Sequence, residues 1–100
     1  MAEPDIRVAC RLVNGGWDCH VNLRDEAGPA GASDYNVTVS VAELARFGGE
    51  TTPEKLITAS FRFLLEREPS QAILRRFALS EIEGYFPEYA AEIDRLLKAA

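Results

Sequence analysis

The stretch Thr51–Pro69, TTPEKLITASFRFLLEREP, constrains this chain more than any other. Thr51 or Thr52 is placed to cap a helix, Pro53 suits its first turn, and Glu54 sits against the positive end of the helix dipole. Pro69 is expected to end the helix by pushing Glu68 out of helical geometry. On a helical wheel Leu56, Ile57, Ala59, Ser60, Phe61, Phe63, Leu64 and Leu65 fill more than half the circumference. Only Lys55, Thr58, Arg62 and Glu66 form a clearly polar stripe. A helix this apolar must be covered on two or three sides, so the rest of the chain is its cover.

Upstream, Ile6, Val8, Cys10 and Leu12 alternate with Arg7, Ala9 and Arg11, and Trp17, Cys19, Val21 and Leu23 alternate in turn. Between them Asn14-Gly15 signals a two-residue hairpin turn, with positive φ expected at both positions. That turn sets Leu12 opposite Trp17, Cys10 opposite Cys19, Val8 opposite Val21 and Ile6 opposite Leu23, with Arg11 facing Asp18 on the other side. A slip of one residue would put Leu12 against Asp18 and undo the pattern.

Arg24–Asp34, RDEAGPAGASD, reads as a mobile connection without periodicity. Tyr35, Val37 and Val39 alternate with Asn36, Thr38 and Ser40 in a third strand. Ser40 and Glu43 have capping-box spacing for a short helix over Val41–Phe47, which Gly48-Gly49 stops. Beyond Pro69, Ser70 is placed to cap a third helix carrying Ala72, Ile73, Leu74 and Phe77. Ser80 is placed to cap a turn with Ile82, Tyr85 and Phe86, interrupted by Gly84, and Pro87 to open a last helix. The expectation is an α+β fold: an N-terminal antiparallel sheet of about three strands packed against three to four C-terminal helices. One hundred residues make a single domain, with residues 6–40 as its sheet portion and 41–98 as its helical portion. Phe61, Phe63, Phe77, Tyr85, Phe86 and Tyr89 are expected to share the core with Trp17.

The net charge of −5 argues against nonspecific binding to nucleic acid or anionic membranes, both of which need a basic surface. Arg75-Arg76 is the one adjacent basic pair, and such residues usually pair with nearby glutamates. The start of the chain lacks the basic and apolar run of a signal peptide, so a cytoplasmic location is expected. No catalytic, cofactor-binding or metal-binding motif is read. His20 stands alone between Asp18 and Asn22, without a nucleophile or second acid beside it in sequence. Cys10 and Cys19 face each other close enough for a disulfide. On an apolar face in a reducing compartment they read as two reduced core cysteines; a redox-responsive pair is the alternative.

Three features of the chain carry resemblances. Tyr35–Glu68, with its alternating strand YNVTVS, Glu43-Leu44, a Gly break and an apolar second helix, resembles a ribbon-helix-helix module. That resemblance implies a dimer pairing two such strands, with Asn36, Thr38 and Ser40 facing DNA bases and Thr51 or Thr52 facing a phosphate. The runs SFRFLLEREP, ILRRFAL and YFPEY resemble a group of small bacterial proteins with S-F-x-F-L-L-E-x-E-P, I-L-x-x-F-x-L and Y-F-P-E motifs, a group that implies a family but no activity. The hairpin-plus-helix layout is also similar to the partner-binding half of HicB antitoxins, although Arg24-Asp25-Glu26-Ala27-Gly28 stands where their Asp-Leu-Pro-Gly would be. The leading expectation is a non-catalytic module that binds a protein partner or a second copy of itself. A DNA-binding regulator or antitoxin, or a redox-responsive hairpin, is the alternative.

Overall fold

The computed structural model describes residues 5–25 and 31–99. Strands β1 (Asp5–Val13) and β2 (Gly16–Asp25) form the hairpin in the register expected, with Leu12 opposite Trp17, Cys10 opposite Cys19, Val8 opposite Val21 and Ile6 opposite Leu23. Arg11 Nη2 lies 3.3 Å from Asp18 Oδ2 across the strands. The turn differs from expectation. Gly15 has φ 85°, but no non-glycine among the described residues has positive φ, so Asn14 does not share the left-handed geometry. Gly16 is needed for another reason: a Cβ there would collide with the Val39 carbonyl of the next strand.

Strand β3 (Gly31–Ser40) pairs antiparallel with β2 all the way from Asp25↔Gly31 to Gly16↔Ser40. The connection expected over Arg24–Asp34 is therefore mostly strand, and residues 26–30 lie outside the described residues. Ser33 continues the buried alternation of Tyr35, Val37 and Val39, while Asn22 donates to Asp34 Oδ1 at 3.0 Å on the opposite face.

A larger correction follows Pro69. Instead of a helix, Ser70–Ala72 makes one 3₁₀ turn, and β4 (Arg76–Ala78) joins the sheet parallel to β3. Phe77 and Leu79 point inward while Arg76 and Ser80 point out, a period of two that β3's open edge selects over the helical one. The Asn36 N–H donates to the Arg75 carbonyl at 2.7 Å, and the Leu79 N–H donates to the Thr38 carbonyl at 3.0 Å. The sheet order is β1-β2-β3-β4.

Helices cover one face of this sheet. The capping box forms as expected: Ser40 Oγ accepts from the Glu43 N–H at 3.0 Å, and Glu43 Oε1 accepts from the Ser40 N–H at 2.7 Å. Helix α1 (Val41–Glu43) then widens into a π turn over Leu44–Gly48, closed by the Gly49 N–H on the Leu44 carbonyl, with Gly49 at φ 64°. Helix α2 (Pro53–Leu65) is capped by Thr52 and ends a few residues before Pro69. It buries Leu56, Ile57, Ala59, Ser60, Phe61, Phe63 and Leu64, and leaves Lys55, Arg62 and Glu66 exposed. Helix α3 (Glu81–Tyr85) runs through Gly84, and Ser80 makes no side-chain cap. Helix α4 (Tyr89–Ala99) packs on α2, where Ser60 Oγ and the Tyr89 hydroxyl are 2.7 Å apart in the core.

The aromatic core centres on Phe61 and Phe63. Tyr35 meets Phe61 edge-on at 5.1 Å, and Tyr89 meets Phe63 at 5.3 Å. Phe77 is buried with them, whereas Trp17 and Phe86 are half-buried. Tyr85, expected inside, is 68% exposed.

Candidate interaction surface

Strand β1 forms one edge of the sheet, and the hydrogen-bond parity of the strands identifies what that edge presents. Asn36 and Thr38 bond toward β4, so the odd-numbered residues of β3 bond toward β2. Alternation carries this across: odd residues of β2 face β3, even ones face β1, and odd residues of β1 face β2. The 4.0 Å Cα separation of Cys10 and Cys19 agrees, being the spacing of a non-hydrogen-bonded pair. Ile6, Val8, Cys10 and Leu12 therefore aim their N–H and C=O groups outward. Among the described residues no backbone group outside the hairpin bonds to them.

The side chains on this edge are also incompletely covered. Val21, Leu23 and Cys19 of β2 are fully buried, but Ile6, Val8 and Cys10 beside them are only half-buried. Helix α2 packs closely along β1, yet it leaves these edge residues only partly covered. At the end of β1 Leu12 is 76% exposed, and beyond β3 Val41, whose N–H donates to the Gly15 carbonyl at 3.2 Å, is 59% exposed. The edge has nine residues in unbroken register, without a proline or bulge. Natural edge strands usually carry such devices against unwanted pairing.

Cys10 and Cys19 are joined by a disulfide, which corrects the expectation of two reduced thiols. The facing pair in the hairpin register supplies the proximity, and Cys10 lies on the edge strand while Cys19 is wholly buried.

The polar face of the sheet holds the other residues singled out in the sequence. His20 does have an acid beside it: Nε2 lies 3.1 Å from Asp34 Oδ1. That neighbour was hidden by reading Asp34 as loop. The Asn22 amide, partly opposed by desolvation, and then His20 hold the Asp34 carboxyl below its ordinary value. Both side chains are more than half exposed, so the pair is a solvated one. Asn36 and Thr38 share this outward face, whereas Ser40 turns to cap α1. The ribbon-helix-helix expectation requires their strand to pair with a twin. It cannot, because β2 and β4 occupy both edges of β3.

A second concavity, of about 170 Å³, lies where α2 ends beside β4 and α3. Its walls include Leu64, Ile73, Phe77, Ile82 and Phe86, with Leu74 half exposed. Beside it Arg67 clamps the end of α2: its guanidinium is 3.7 Å from the Phe63 ring centroid, and Nε is 3.1 Å from Glu88 Oε2. Arg75 in turn donates to the Asp34 carbonyl at 3.3 Å. No described helix is long and apolar enough to cross a membrane.

Compared with known proteins, the chain matches no family model, no curated protein and no solved structure.

Proposed function

We propose that this chain is a non-catalytic protein-interaction module of the bacterial cytoplasm, and that β1 is its docking edge. The observation that carries this reading is the open edge itself. Outward-aimed backbone groups at Ile6, Val8 and Cys10 coincide with half-buried apolar side chains at the same positions. A strand added there would satisfy both, with main-chain bonds giving affinity and side-chain pairing giving selectivity. The exposed Leu12 carries the apolar area to the end of the edge.

The test is photo-crosslinking in the host cell, with the reactive amino acid replacing Ala9 or Leu12 and, as control, the exposed Glu50. Discrete conjugates from the two β1 positions and none from Glu50 are expected. Conjugates that are absent, or equal at all three positions, would contradict the reading.

The closed Cys10–Cys19 bond favours a second reading, a redox-responsive hairpin. Disulfides of the reducing cytoplasm are mostly transient or sensing ones. The free-thiol count is then expected to change between mild reductant and mild oxidant. A constant count would dispose of it.

A further inference from the structure

We infer that the strand docking on β1 is the β1 of a second copy, antiparallel and centred on Val8, giving one continuous sheet across a two-fold axis. This rests on the interaction reading above and names its partner. A symmetric antiparallel pair must join residues whose backbone groups both point outward, which on β1 are the even-numbered ones. Centring on Val8 sets Val8 against Val8, and Ile6 against Cys10, of the two copies. All of these belong to the half-buried face, so each copy covers what the other leaves open. About six backbone hydrogen bonds would form in three narrow pairs.

Charge selects this register over its neighbour. On the solvent face it brings Asp5 of each copy opposite Arg11 of the other, and Arg7 opposite Ala9. Centring on Ala9 would set Arg7 against Arg11, two like charges directly across the strands. Within one chain Asp5 pairs with Arg7 at 3.2 Å and Arg11 with Asp18 at 3.3 Å, but both remain exposed, with side chains 53% and 78% accessible, so each can share its charge across the seam. The self-complementary pattern is what an isologous interface requires.

Light scattering on the full chain at micromolar concentration tests the partner, and two substitutions at exposed Ala9 test the register. A mass of about 22 kDa is expected, twice the 11.0 kDa of one chain. Ala9→Glu should then tighten the dimer by roughly twofold to tenfold through a new pair with Arg7, formed twice by symmetry, and Ala9→Lys should weaken it comparably. If both variants weaken the dimer, the Val8-centred register is overturned. A single-chain mass at every concentration overturns the second copy as partner. The interaction reading would survive that result if β1 still crosslinked to a chain of another size, and fall with it if β1 crosslinked to nothing.

Discussion

Glu43 ties two distant backbone groups together. Its Oε1 accepts from the Ser40 N–H and its Oε2 from the Ser80 N–H, each at 2.7 Å, joining the start of α1 to the turn after β4. Burial pushes its carboxyl up, but these bonds outweigh burial and hold it below the ordinary 4.5. A depressed folded value stabilises the fold above the unfolded one, and the contribution is lost as pH falls through the folded value. Glu43→Gln should lower stability by about 1–2 kcal/mol at neutral pH, discounted for partial solvent contact. The difference from wild type should shrink as denaturation is measured below pH 4.5. In the core, burial raises the Tyr89 hydroxyl well above its usual range, partly offset by the Ser60 bond. Phe61→Ala should cost about 3–5 kcal/mol in chemical denaturation, whereas Tyr85→Ala should stay within about 0.5 kcal/mol.

At the scale of elements, the hairpin and the β3–β4 pair were unequally legible. Every cross-strand partner of β1 and β2 follows from alternation around Asn14-Gly15, because period and turn are both local. The caps at Ser40 and Thr52 were local too. Strand β4 was not, because Ser70–Phe77 carries apolar residues at a spacing that serves either structure. What decides it is an edge of β3 offered from more than thirty residues upstream. The turn before it is pinned the same way, by the Tyr35 hydroxyl donating to the Ser70 carbonyl at 2.8 Å. The disulfide bridges a sequence separation of 9 residues within the hairpin. Replacing both cysteines by alanine should lower stability by about 2–3 kcal/mol from the small closed loop. The β1–β2 register should persist, since Leu12–Trp17, Val8–Val21 and Ile6–Leu23 remain; amide chemical shifts would report it.

For the whole molecule, the α+β class and the central place of α2 could be read from composition and period. The candidate surface could not. The half-buried state of Ile6, Val8 and Cys10 depends on how α2 packs along the edge strand, which no local pattern encodes. Asp34 beside His20 and the exposure of Tyr85 were hidden for the same reason. The central claim is that β1 is an open edge that another strand closes. Residue-resolved amide hydrogen exchange tests it most directly, first in dilute protein and then at concentrations where chains associate. The account predicts slow exchange at Arg7, Ala9 and Arg11, which bond to β2, and fast exchange at Ile6, Val8 and Cys10 until association protects them. Protection of Ile6, Val8 and Cys10 in the dilute monomer would mean that the chain already covers its own edge, and would contradict the account.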